Sequence, residues 1–251
     1  MLSQHTALIT GASRGIGQAT AVALARAGVR NLLLHYGSHR AGAEETLEKI
    51  RAAGADGLIM GADLATEAGL ASLLEQVAPH AENIEILVNN AGSLFRRARL
   101  AEFTPAIYES VMNLNVRSVW FLTQCVAAGM VAARRGVIVN VSSIAARNGG
   151  GPGATIYAAA KAAVSAMTKG LSKELAPHGV RVNAISPGTV ENHFHETFST
   201  REILEGVLRA TPQGRLSTNE DMADVVVFLA SDAARNIHGQ TIEINGGALM
   251  V

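Results

Sequence analysis

Seven short apolar runs, separated by longer helical segments, constrain this chain more than any other feature. "TALIT" (6–10), "NLLLH" (31–35), "GLIM" (57–60), "IEILV" (84–88), "GVIVNV" (136–141), "VRVNAI" (180–185) and "QTIEI" (240–244) are rich in Val, Ile and Leu without clean alternation. That is the pattern of strands covered on both faces. The intervening segments, roughly 15–27, 40–53, 66–78, 106–133, 155–176 and 219–231, read as helices, and Gly28, Gly54 and "APHG" (176–179) supply stop signals. Such alternation requires a parallel sheet wound both ways by right-handed crossovers. The expected fold is α/β: one doubly wound domain over 1–251 with a seven-stranded parallel sheet flanked by helices. Residues 187–217 alone break the rhythm and are expected to form an inserted loop with a short helix, a substrate lid.

Composition narrows the partners. Lys plus Arg and Asp plus Glu are 21 each, so there is no field for a polyanion and no nucleic acid is expected. Cys125 is the only cysteine, which excludes internal disulfides and suits a reducing cytoplasm. "MLSQHTALIT" lacks the basic and long apolar regions of a signal peptide. The uncharged run 118–133 falls short of the roughly 20 residues of a membrane span and reads as a buried helix, with Cys125 buried in it; no membrane association is expected.

"TALITGASRGIGQATAVALARAG" (6–28) is a strand, a glycine-rich turn and an alanine-rich helix. A dinucleotide's pyrophosphate needs backbone N–H groups at close range and a helix N-terminus aimed at it. Side chains at Gly11, Gly15 or Gly17 would obstruct that approach or the helix–strand packing. The spacing T-G-x-x-x-G-I-G resembles the nucleotide motif of the short-chain dehydrogenase/reductase family, and implies a Rossmann-type domain with Gly11, Ser13, Arg14, Gly15, Ile16 and Gly17 around the cofactor. "LVNNAG" (87–92) is similar to the family's N-N-A-G element, which places Asn90, Ala91 and Gly92 beside the adenosine. Asp63, with Leu64, matches the family's acidic contact near the adenine, or else caps the following helix.

The resemblance continues with "MNLNVRS" (112–118), where the family's catalytic asparagine falls on Asn115; a purely structural role is the other reading. "VIVNVSSIAA" (137–146) implies Ser143, and "YAAAK" implies Tyr157 and Lys161. Residues four apart share a helix face, so both can point into one cleft. The family commonly places the serine thirteen residues before the tyrosine. Here the gap from Ser143 is fourteen, with "NGGGPGA" (148–154) able to absorb the extra residue; Ser142 fits worse. "SPGTV" resembles the segment that wraps the nicotinamide amide, implying Pro187, Gly188 and Val190, but "ENHFH" stands where the family often has a threonine.

The chemistry explains the residue types. Reducing a ketone needs a hydride from nicotinamide and a proton for the oxygen. A tyrosine gives that proton, but its free pKa is ~10. A nearby lysine cation is expected to lower it, while a serine hydroxyl shares the charge developing on the oxygen. Tyr36, where many NAD users carry Asp, together with Arg14 and His39 or Arg40, points to NADP rather than NAD.

The expected function is therefore an NADP-preferring oxidoreductase interconverting a carbonyl and a secondary alcohol, on either a β-ketoacyl thioester or a sugar, polyol or sugar acid. The alternative from another class is a nucleotide-sensing regulator without catalysis. Arg96, Arg97 and Arg99 either recognise an anionic substrate or are solvated. His193 and His195 have metal-like spacing in an extended segment but no third ligand, so no metal is expected. Family relatives commonly pack the helices at 106–133 and 155–176 in homotetramers, which the resemblance implies here.

Overall fold

Two apolar layers sandwich one sheet, because each strand sends alternate side chains to opposite faces. In β1 (Thr6–Ile9), Ala7 and Ile9 enter one layer and Leu8 the other, all fully buried. Burying a Leu or Ile side chain contributes about 1.5–3 kcal/mol, so a central strand with two such residues is a strong anchor. The computed structural model describes residues 5–251; residues 1–4, the start of the expected domain and of the stretch read for a signal peptide, lie outside the described residues.

The other strands are β2 (Asn31–Tyr36), β3 (Asp56–Gly61), β4 (Ile84–Asn89), β5 (Gly136–Val141), β6 (Val180–Pro187) and β7 (Thr241–Ile244). They pair in the order β3-β2-β1-β4-β5-β6-β7, every pair parallel. The doubly wound, seven-stranded Rossmann-type architecture expected from the alternation is present. The order reverses between β1 and β4, and the crevice outside the carboxyl ends of those strands is where such sheets hold ligands.

The helices are α1 (Gly15–Arg26), α2 (Arg40–Ala52), α3 (Glu67–Val77), α4 (Pro105–Met112), α5 (Ser118–Ala133), α6 (Ala145–Asn148), α7 (Thr155–Leu175), α8 (His193–Phe198), α9 (Arg201–Ala210) and α10 (Asn219–Ala230). Three expectations need correction. The single helix expected over 106–133 is divided by a π-turn at Asn113–Arg117. Only one side of α5 is buried: Trp120 and Phe121 are exposed and Cys125 is half-buried. By length and composition Pro105–Ala133 could cross a membrane, yet α5 packs on β4 and β5. The excursion 187–217 holds two helices, α8 and α9, not one. Thr200 caps α9 by accepting from the Ile203 amide, a signal the sequence carried.

Candidate active site

The glycine turn sits at the reversal point. Gly11 is left-handed (φ 65°), and a Cβ there would lie 3.0–3.1 Å from Asn90 and Ala91. A Cβ on Gly17 would lie 2.1 Å from the Gly11 carbonyl, so α1 can approach the turn only with glycine there. Asn90 fastens the turn by donating to the carbonyls of Thr10 (2.8 Å) and Gly11 (3.1 Å), and the Thr10 hydroxyl accepts from the Asn90 and Ala91 amides at 2.9 Å each. The N-terminus of α1 has no side-chain cap and no acid in its first turn, leaving its amides for an anion. A cradle that a Cβ would fill, facing an uncapped helix, fits a dinucleotide's pyrophosphate.

From this turn a cleft of about 720 Å³ runs across the carboxyl ends of the strands. Gly11, Ser13, Arg14, Gly15, Ile16, Asp63, Leu64, Asn90, Ala91, Gly92, Ser143, Tyr157, Lys161, Pro187, Gly188 and Val190 line it. Gly17 lies behind the turn. Tyr36 and Arg40 depart from expectation. The Tyr36 hydroxyl crosses β3, 2.7 Å from where a Gly61 Cβ would stand, and exposed Arg40 donates to Glu44 at 2.8 Å. Neither lines the cleft; Gly37, Ser38 and His39 do instead. Asp63 is not the cap of α3, since Thr66 accepts from Gly69 in that role; its carboxylate accepts from the Ala65 amide at 3.0 Å.

Ser143, Tyr157 and Lys161 converge in the middle of the cleft. β5 ends at Val141 and throws Ser142 and Ser143 in different directions. Ser142 is buried and its hydroxyl bonds the Lys161 carbonyl (2.9 Å) and Ser165 (2.8 Å), so it braces α7. Ser143 stands beside the Tyr157 hydroxyl. The fourteen-residue gap closes through Gly149, Gly150 and Gly153, all left-handed. Lys161 is 3% exposed, donates to the Val141 carbonyl at 2.8 Å, and lies 5.7 Å from the Tyr157 ring centroid.

The electrostatics differ in one respect from expectation. Burial pushes the Tyr157 phenol up to about 12, with the Ser143 hydrogen bond opposing. Burial pulls Lys161 down to about 8, so it is still mainly a cation at neutral pH. Asn115 sits behind the pair in the π-turn. Its amide donates to the Ser93 and Val111 carbonyls at 2.8 Å each, while its Oδ1 is buried and unpartnered. A Cβ on Gly92 would lie 2.8 Å from that Oδ1 and 2.9 Å from the Lys161 Nζ. Gly92 thus keeps open the space between the amide and the ammonium.

The insertion after β6 covers the far end. Phe194 of α8 stacks on Tyr157 with centroids 5.7 Å apart. Of the three arginines only Arg97 reaches the cleft, where its Nε donates to the Phe198 carbonyl (2.6 Å) and its Nη1 to the Pro152 carbonyl (3.0 Å). Exposed Arg96 and Arg99 bond at Glu102. His193 and His195 lie on a helix, not an extended segment, and bond Thr197 and Ser199 within α8; positions two apart on a helix do not face each other. Burial, then Arg97, pulls His195 down to about 4.

The sequence reading missed His35, Ser38 and Phe194. His35 carried a signal, a lone imidazole in an otherwise apolar strand; Phe194 had none, since lid packing depends on how the insertion folds back.

Residues 11–248 match the family described as enoyl-(acyl carrier protein) reductase. The chain is similar to 3-oxoacyl-[acyl-carrier-protein] reductase FabG of Staphylococcus aureus (strain Mu50), 36% identical over 250 residues that span 100% of both chains. It is also similar to a solved structure described as an NAD(P)-dependent gluconate 5-dehydrogenase from Beutenbergia cavernae, with NADP bound at low occupancy. That likeness has a TM-score of 0.91 and 35% identity over 98% of this chain and 97% of the other. A further structure, of the NADH-dependent reductase A1-R' responsible for alginate metabolism, has a TM-score of 0.87 and 36% identity over 100% and 99%.

Proposed function

We infer the reaction from one premise: this chain belongs to the short-chain dehydrogenase/reductase family and is an oxidoreductase. It interconverts a ketone and a secondary alcohol on a small molecule, in a single domain with its lid at about 187–217. The observation that carries this reading is the convergence of Ser143, Tyr157 and Lys161 on one cleft whose other end is the glycine turn. A bound nicotinamide supplies or accepts hydride. Ser143 hydrogen-bonds the substrate oxygen, and Tyr157 moves its proton. A phenol held up to about 12 is protonated at neutral pH, the form that gives its proton when a ketone is reduced. Lys161 holds its cation beside the phenol and the ribose hydroxyls, and Asn115 positions the lysine end of a proton path.

NADPH is the preferred cofactor, on the argument of Arg14 beside the turn, His39 and Ser38 at the cleft, and no acidic side chain ending β2; NAD is the lesser candidate. Tyr36 and Arg40, turned outward, contribute less than their positions suggested. The deciding assay compares kcat/KM for NADPH and NADH over a panel of ketones and oxidised sugars. NADPH consumption excludes a non-catalytic regulator, and an NADH preference overturns the cofactor assignment.

A second reading of the substrate concerns charge. Arg97 brings a cation to the lid side of the cleft, and the Beutenbergia relative is described as acting on gluconate. That favours a sugar acid over a β-ketoacyl thioester, and Arg97→Gln raising KM for carboxylated substrates only would support it. The exposed Tyr108, Trp120 and Phe121 on α4 and α5 support a homotetramer, readable by light scattering. Cytoplasmic localisation, without membrane or nucleic-acid partners, follows from the composition.

A further inference from the structure

His35 has no part in the chemistry just described, yet it is 2% exposed at the end of β2, directly beneath the glycine turn. Its two ring nitrogens are both engaged, and the partners fix which one carries the proton. Nδ1 accepts from the Gly11 N–H at 3.2 Å, so Nε2 bears hydrogen and donates to the Ala62 carbonyl at 2.9 Å. Its own carbonyl accepts from the Ala12 amide at 2.8 Å. One residue therefore joins the first two amides of the turn to the end of β3, next to Asp63 and Leu64 at the cleft.

A buried histidine that only stitched strands together would bond across the sheet. This one reaches a left-handed glycine whose carbonyl is already held by Asn90 Nδ2 and crowded by Gly17. With both its N–H and its C=O engaged, the Gly11 peptide has one orientation. The amides from Ser13 through Gly17 follow from it, at the uncapped start of α1 where an anion would be received. The charged groups around the imidazole are few: Asp63 beyond Ala62 on the β3 side, Arg14 on the turn and His39 before α2, all on the same cleft, with Arg40 paired to Glu44 outside it. Burial pulls His35 down to about 4, so the acceptor at Nδ1 is present throughout the neutral range.

We propose that His35 is a positioning residue for the cofactor's pyrophosphate, its unprotonated Nδ1 setting the glycine turn whose remaining amides receive the anion. The proposal rests on reading the cleft as a dinucleotide site, and goes beyond it by naming a buried residue that acts through the glycine turn.

Asparagine and glutamine separate the two nitrogens. His35→Asn keeps an acceptor near the Nδ1 position; His35→Gln keeps a donor near Nε2 for Ala62 but offers Gly11 nothing. Dissociation constants of NADPH, ADP-ribose and 2'-AMP, measured by fluorescence or calorimetry with thermal melts alongside, read the outcome. The expected result is that His35→Gln weakens NADPH and ADP-ribose about tenfold, the cost of stranding a buried N–H, while 2'-AMP, which has no pyrophosphate, changes less than twofold. His35→Asn should stay within threefold of the wild type for all three. Equal weakening of all three ligands by His35→Gln overturns the proposal, as does equal damage from both variants or an unchanged NADPH affinity in His35→Gln. A wild-type protein that binds neither NADPH nor NADH sinks the dinucleotide reading itself, which is a different failure.

Discussion

Gly92→Ala is the sharpest test of the catalytic arrangement, because it adds one methyl group at a known place. The backbone at Gly92 is not left-handed, so alanine meets no conformational penalty there. Its Cβ would arrive 2.8 Å from the Asn115 Oδ1 and 2.9 Å from the Lys161 Nζ, where ordinary contact begins near 3.4 Å. Something must move by roughly half an ångström or more. The Lys161 tip is the softest neighbour, and shifting it stretches the 2.8 Å bond to Val141. A hydrogen bond from a charged donor contributes about 1.5–3 kcal/mol, and about half of that should be lost. For a chain of this length this corresponds to a fall in Tm of about 2–6 °C. Misplacing a reacting group by about 1 Å costs on the order of 10²-fold in rate, so kcat should drop about 10–100-fold. Dissociation constants for the cofactor should change by less than kcat, since only the Lys161 contact to the ribose is disturbed and the glycine turn is untouched. Steady-state kinetics with melts and cofactor titrations give the answer. Turnover within threefold of wild type, in a variant with normal stability, would refute the idea that the Asn115–Lys161 space matters.

Other outcomes follow from the same geometry. Tyr157→Phe should lower kcat by about 10²–10⁴ with cofactor affinity intact; near-normal turnover would remove Tyr157 from the chemistry. Lys161 is depressed to about 8 from 10.5, so between those values the unfolded chain binds more protons than the native one and stability rises with pH. The strain of burying its cation, about 3 kcal/mol at full protonation, is relieved across that window, and urea midpoints of Lys161→Met should lose this slope. Leu8→Ala, at a fully buried site between β2 and β4, should cost about 2–5 kcal/mol in urea denaturation; less than 1 would mean that the layer collapses around the hole.

The sequence revealed the sheet because burial on both faces leaves an apolar signature in the central strands, which carries over weakly to the part-exposed edges β3 and β7, and it revealed the turn because a side chain on Gly17 would collide with the Gly11 carbonyl. It revealed Ser143, Tyr157 and Lys161 because they recur in a fixed pattern, although the fourteen-residue gap was resolved only by three left-handed glycines. What it could not show depended on where side chains turn after folding. Tyr36 and Arg40 occupied promising positions, yet one lies across β3 and the other bonds Glu44. The break at Asn113–Arg117 was likewise invisible, since a π-turn comes from a single extra residue that leaves the apolar pattern nearly intact. Burial, which raises the phenol and lowers the ammonium, likewise leaves no mark in the sequence.

The two ends of the lid lie side by side: Val190, where it leaves β6, bridges Ser217, where the chain turns back toward α10. This forms a narrow stem, while Phe194 on Tyr157, Arg97 on the Phe198 carbonyl and the Gln213 amide on the Gly246 carbonyl moor the rest of the insertion. Lengthening a loop closed in this way costs only about 0.6 kcal/mol per doubling. Extra residues in the stretch 199–210, between those moorings, would therefore cost the sheet little, and the paired ends at Val190 and Ser217 mark where such a graft would join.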